Sequence, residues 1–284
     1  MGFTIAIPWL LLSFQAVPVE KVEPSAVVRL ATQLRNERKL PQAETTLLKA
    51  LATVTASGRE DHQAAVILNE LALVYHDLDR YAKAEDCFRR SLRVWERACG
   101  PEGPCLIRPL GNLATHYIWY GQLAKADRVG RRLDRIRLAE PRPEDREMPL
   151  LLRFLASIHY ARGRYSQAGP LLQQALRLLE RTGGDEDPGG LAMALHGLAA
   201  VYTREGRYPE ALSHFERALE IWKRTSDNQG LARGLKNLAV VYGLTGRRAE
   251  AEALFLRALA LAESSFEPTH PFMDEVLSAY ATLL

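Results

Sequence analysis

LAVVYGLTGRRAEAEALFLRALAL, residues 238–261, is a restatement of LAAVYTREGRYPEALSHFERALEI at 198–221 and of LALVYHDLDRYAKAEDCFRRSLRV at 71–94. The alanine of this LAxxY-like core recurs at Ala72, Ala114, Ala156, Ala199, Ala239 and Ala281, with a degenerate copy at Ala31. A second alanine follows twelve residues later, at Ala43, Ala84, Ala126, Ala168, Ala211 and Ala251, and one unit follows the next at intervals of 40 to 43 residues. Self-similarity of this period is the mark of a stacked repeat, because each unit is too small to bury its apolar stripe alone.

Each unit reads as two helices. Leu195, Leu198, Ala199 and Tyr202 fall at i, i+3, i+4 and i+7, one face of an α-helix. The helix stops at Gly206, and Gly121, Gly163 and Gly246 occupy the same slot; glycine reaches the left-handed conformation that ends many helices without strain. Arg38 and Asp79 fill that slot in their units, so those two turns are expected to be less regular. The second helix carries Ala211, Phe215, Ala218 and Leu219 on one stripe; its alanines allow close helix approach and its phenylalanine fills the space between pairs. The third unit has Gly130 in the phenylalanine position and Leu133 in the alanine position, which predicts looser packing there, and His159 replaces the first tyrosine of the fourth.

Taken together, L-A-x-x-Y-x-x-x-G-x-Y-x-x-A-x-x-x-F-x-x-A-L, matched by LAAVYTREGRYPEALSHFERAL at 198–219, resembles the tetratricopeptide repeat. The longer unit, often with a proline before the next helix as in GPEGP (100–104) and EPTHP (267–271), is similar to the kinesin light chain type. The resemblance covers residues ~25 to 284. It implies an all-α, right-handed α-solenoid of antiparallel helix pairs. We expect a single repeat domain over 24–284, with about six helix pairs and a C-terminal capping helix, whose leucines could equally support self-association.

The chain of 284 residues has 47% hydrophobic and 25% charged residues, an ordinary soluble composition. Seven lysines leave thirty arginines and a formal net charge of only +3. Arginine bursts such as RRLDRIRLAEPRPEDRE are interrupted by acids, the pattern of a solvated face with ion pairs, so no nucleic-acid partner is expected. Residues 1–23 differ, opening with an uncharged apolar run from Phe3 to Phe14. Its length suits a secretory signal and is too short to cross a bilayer, yet no basic residue precedes it and no clean small-x-small cleavage site follows. Export to the periplasm or medium, and an apolar segment packed on the first unit of a cytoplasmic protein, both remain open. Cys87, Cys99 and Cys105 form no disulfide framework, although Cys99 and Cys105 flank a turn and could pair.

No catalytic or metal-binding constellation occurs, so no chemistry, cofactor or small-molecule substrate is expected: there is no H-E-x-x-H, phosphate-binding loop or G-x-S-x-G elbow. The resemblance implies that the first helices of successive units line a concave groove. Transferred to this sequence, its positions are Asn69, Arg108, Asn112, Arg153, His196, Arg233, Lys236 and Asn237 before the alanine core, with Leu73, His76, Ile118, Trp119, Tyr160 and Arg204 after it. Arginine and lysine bind carboxylates, asparagine can satisfy a peptide backbone, and Trp119 and Tyr160 offer anchors. The expectation is a scaffold or adaptor that binds an acidic or C-terminal protein segment. An envelope-associated assembly or secretion factor, or a sensor module acting through a separate chain, are the alternatives.

Overall fold

The computed structural model describes residues 24–56, 61–139, 147–181, 186–265 and 271–283, and the apolar run at 1–23 lies outside them. The described residues form thirteen α-helices and one 3₁₀ turn, with no strand. They pair in order: α1 (Pro24–Asn36) with α2 (Leu40–Val54), α3 (His62–Asp77) with α4 (Tyr81–Cys99), and α5 (Ile107–Trp119) with α6 (Leu123–Ala139). Next come α7 (Met148–Ala161) with α8 (Tyr165–Arg181), α9 (Pro188–Arg204) with α10 (Tyr208–Arg224), and α11 (Asn228–Leu244) with α12 (Arg248–Ser265). A last helix, α13 (Pro271–Ala281), stands in the position of the first helix of a seventh unit. No described helix is long and apolar enough to cross a membrane.

Local chemistry sets both ends of the odd-numbered helices. Asp61, Asp187 and Asp227 cap α3, α9 and α11, accepting from the backbone N–H of Ala64 (3.1 Å), Gly190 (2.7 Å) and Gly230 (2.9 Å). Each bond satisfies a donor that helix geometry leaves open. At the other end Gly121, Gly163, Gly206 and Gly246 adopt φ between 68° and 79°, and the chain reverses into the next helix. The turns at Arg38 and Asp79 are not less regular, contrary to the expectation from sequence. Both residues take the same left-handed conformation, at φ 60° and 54°. They close the same backbone bonds: Lys39 N–H to Leu34 O and Arg80 N–H to Tyr75 O, each 2.8 Å, as Arg207 does to Tyr202 at 2.9 Å. Stacking on both sides over-determines the turn, so the side chain bears the steric cost and the backbone does not change.

The core runs the length of the stack. Phe88, Phe215 and Phe255, at the position four residues past the second alanine, are each 1% exposed. In the third unit Gly130 is buried and α6 remains one continuous helix; the vacant ring position is approached by Ile158 from α7. In the same unit, Phe154 of α7 lies so close to Gly111 that a Cβ there would overlap its ring. Between α4 and α5, Cys99 and Cys105 are joined in a disulfide with their Cα atoms 6.5 Å apart. Cys87 is buried as a thiol.

The stack winds far enough for its two ends to touch. The Arg38 guanidinium in the first unit donates to the carbonyl of Glu263 in α12 at 2.7 Å. Trp119 of α5 packs against the terminal cluster of Leu235 and Phe272. These contacts put the odd-numbered helices on the inside of the superhelix and the even-numbered ones outside.

Candidate functional site

The inner wall is therefore built from the odd-numbered helices, and the sequence placed its groove residues on α3, α5, α7, α9 and α11. The side chains meet in three groups. Near the start, Asn112 donates from Nδ2 to Asn69 Oδ1 at 3.0 Å, so two amides from adjacent units satisfy one another. His76 and His116 face across the next step with their Nδ1 atoms 3.4 Å apart, and Trp119 lies edge-on to His76 at 5.7 Å between centroids. Arg233 reaches from α11 to within 5.9 Å of the Trp119 ring centroid and lies equally near Phe272.

Further along, His196 is wedged between Phe215 and Trp222, and Asn237 Nδ2 lies 2.8 Å from its Nε2. Burial, followed by the neighbouring charges of Lys236 and Arg233, pushes its pKa down to about 3. Its imidazole is thus neutral, with Nε2 as acceptor for the Asn237 amide. Tyr160 sits against Tyr165 at 5.3 Å, its hydroxyl pKa raised by burial despite a hydrogen bond from Arg204.

The wall cations that precede the alanine core are answered by acids. Arg108 lies 3.5 Å from Glu147, Arg153 3.9 Å from Asp187, and Lys236 2.8 Å from Glu275. Arg233 interacts electrostatically with Glu275, Asp77 and Asp227. Sequence reasoning did not select these acids, nor the group in which Arg35 lies 3.1 Å from Asp77 and 3.6 Å from Glu70. Burial raises the Asp77 pKa to about 6 and also raises that of Glu70, with Arg35 opposing both. Asp77 stands five residues past Ala72, so the repeat register would have placed it near the wall. Its partner on α11 follows only from the winding.

Two of the pairs are unequal in a way that matters for binding. The side chains of Lys236 and Arg153 are 16% and 17% exposed, whereas their partners Glu275 and Asp187 are 47% and 57% exposed. The cations are held in the wall, while the acids stand toward solvent. No group of three metal-ligating side chains occurs among the described residues.

A family model described as tetratricopeptide repeat matches residues 63–133 and 190–264, and a second of the same description matches 151–186. The chain belongs to the tetratricopeptide repeat family. Solved structures give the same fold. A putative kinesin light chain of Podosopora anserina with nearly identical TPR-like repeats is 22% identical, covering 72% of this chain and 98% of that one at a TM-score of 0.53. BtubC (BKLC) from P. vanneervenii is 20% identical over 87% of this chain and 94% of its own, with a TM-score of 0.55. A Rap protein complexed with Competence and Sporulation Factor is 14% identical over 91% and 80%, with a TM-score of 0.62. None of the curated proteins matches the chain in sequence. Tetratricopeptide repeats commonly mediate protein–protein interaction, and scaffolds of this family are generally non-catalytic.

Proposed function

We propose that this tetratricopeptide protein is a non-catalytic adaptor that holds an extended protein segment, acidic or C-terminal, against the inner wall of its superhelix. The observation that carries this reading is the inequality of the two ion pairs. A partner's carboxylate can replace Glu275 beside Lys236, or Asp187 beside Arg153, without desolvating a cation, because the cation is already seated in the wall. The mutually bonded amides, Asn69 with Asn112 and Asn237 with His196, can exchange those bonds for an extended backbone. Trp119 and Tyr160 flank the path as apolar anchors.

The test is native co-purification of the intact protein beside a variant carrying Arg153→Glu, Arg233→Glu and Lys236→Glu. A partner kept by the parent and lost from the folded variant is the expected result. Equal retention by both would place binding on another surface and remove these residues from the site.

A second reading, an envelope-associated factor, draws support from the Cys99–Cys105 disulfide, since such bonds persist in oxidising compartments. It predicts that intact-mass analysis of native protein finds the first fifteen or so residues removed and the mass two hydrogens below the reduced value. A full-length, fully reduced native protein would rule it out.

A further inference from the structure

The convex side carries a pattern that the inner groove does not use. Each even-numbered helix turns the positions two, five, nine and thirteen residues past its second alanine away from the core, because those offsets fall within about 80° of arc opposite the alanine. On α4 these positions are Asp86, Arg89, Arg93 and Arg97; on α6 they are Arg128, Arg131, Arg135 and Ala139. On α8, Arg177 and Arg181 take the last two. All eight of these arginines are exposed, and Asp86 is the one acid among the twelve positions. Of the neighbouring acids, Glu85 is buried beside Lys125, and Asp127 pairs with Arg164 of the next unit.

The ridge has a defined register. Arg93, Arg135 and Arg177 occupy the same position, nine residues past the alanine, on three successive outer helices, bridged by the ion pairs of Arg132 with Glu96 and of Arg164 with Asp127. Arg131 precedes Arg135 by one helical turn, about 6 Å away. Arg135 pairs with Glu102 and Arg89 with Glu85, whereas Arg93, Arg128, Arg131 and Arg177 have no acidic partner among the described residues. On the next outer helix the sign reverses at the five and nine positions, where α10 presents Glu216 and Glu220, with Arg224 at the thirteen position. On α2 and α12 the same positions are uncharged.

We infer that the outer ridge of α4, α6 and α8 is a second interaction surface, and that it receives the acidic face of another protein whose adjoining surface is basic. Guanidinium groups engage carboxylates bidentately, and a row of them fixes register as well as attraction. The reversal at α10 selects this partner over the other anions. A membrane plane or a continuing nucleic-acid backbone would meet Glu216 and Glu220 with repulsion, and no aromatic side chain stands at the outer positions of α4 to α10 for bases to stack on. A protein with an acidic block followed by a basic one meets both halves.

Fluorescence anisotropy with the full chain tests this, using three probes at 100 mM salt. The first is a labelled peptide of eight glutamates, a Gly-Ser spacer and four lysines; the second is the same composition scrambled; the third is a 20-bp DNA duplex. Eight extended residues span about 27 Å. The block peptide is expected to bind at least tenfold more tightly than the scrambled one. Combined Arg93→Glu, Arg131→Glu and Arg177→Glu should lose that tenfold, and Glu216→Lys with Glu220→Lys should weaken it several-fold. Arg153→Glu with Lys236→Glu should weaken the block and scrambled peptides alike and keep their tenfold ratio, so failure of the groove and failure of the ridge are distinguishable. Circular dichroism of each variant keeps loss of fold from being read as loss of binding.

Equal binding of the two peptides, or indifference to the ridge substitutions, would overturn the inference. So would a duplex, or a vesicle of phosphatidylcholine and phosphatidylserine, that binds more tightly than the block peptide and gains further when Glu216 and Glu220 become lysine. That result would assign the ridge to phosphate.

Discussion

His116 illustrates how a single side chain acquires a charge state from its place in the stack. It is 1% exposed, lies against Tyr81 at 4.9 Å between ring centroids, and meets His76 through Nδ1. Burial is the main reason its pKa falls to about 4, with the charge of Glu85 opposing and that of Lys125 assisting. An unfolded histidine, near 6.5, takes up its proton first as pH falls, so this residue's contribution to stability declines below pH 6.5 and is lost toward 4. Asp77 runs the other way: raised to about 6, it binds its proton in the folded state first and becomes less costly as pH falls. Urea titrations at pH 7.5 and 5.0 should show the parent losing stability. His116→Phe should remove about 2 kcal/mol of that loss, a difference in which Asp77 cancels. An unchanged pH slope in the variant would show that His116 titrates normally. At the same scale, Phe215→Ala should cost about 3–5 kcal/mol, since the ring is fully enclosed between units. An unaltered denaturation midpoint would contradict that packing.

Among the elements, the odd-numbered helices depend on their caps and the even-numbered ones on what lies under them. Asp227 holds the first turn of α11 through Gly230, and Gly230 is glycine because a Cβ would overlap the Trp222 indole. Asp227→Ala should therefore destabilise the protein by about 1 kcal/mol, read as a lower urea midpoint with the m-value unchanged. If the midpoint does not move, the cap is dispensable. The helix-to-helix turns show how far element and residue can be separated. Gly206 is suited to its φ of 75° by chemistry, while Arg38 and Asp79 reach 60° and 54° because the helices on either side require it.

For the molecule as a whole, the decisive fact is that the winding brings Arg233 to Trp119 and Arg38 to Glu263. Solenoids are held chiefly by neighbour-to-neighbour contacts, so a few contacts between the ends set the curvature at little energetic expense. Replacing Arg38 and Arg233 together by alanine should leave the helix content unchanged and open the superhelix, raising the radius of gyration in solution scattering by a few ångströms. An identical scattering curve would mean that curvature is fixed within each pair. On the proposed function, a segment entering beside Trp119 and Arg233 would have to compete with this closure contact.

The repeat, its period, the helix pairs, the glycine turns and the phenylalanines of the core are legible in the amino-acid order, because all of these follow from local spacing: 3.6 residues per turn and one small residue where helices touch. It also indicated which helices carry Asn69, Arg153 and Lys236. What those side chains face depends on the winding of the stack. Asp77 and Arg233 are 156 positions apart and become neighbours through the accumulated rotation of successive units, a quantity that no single repeat encodes. The same holds for the arginines. In the linear order acids dilute them, and only the helical turn gathers eight guanidinium groups at the outer positions of α4, α6 and α8, with Asp86 the one acid among those positions.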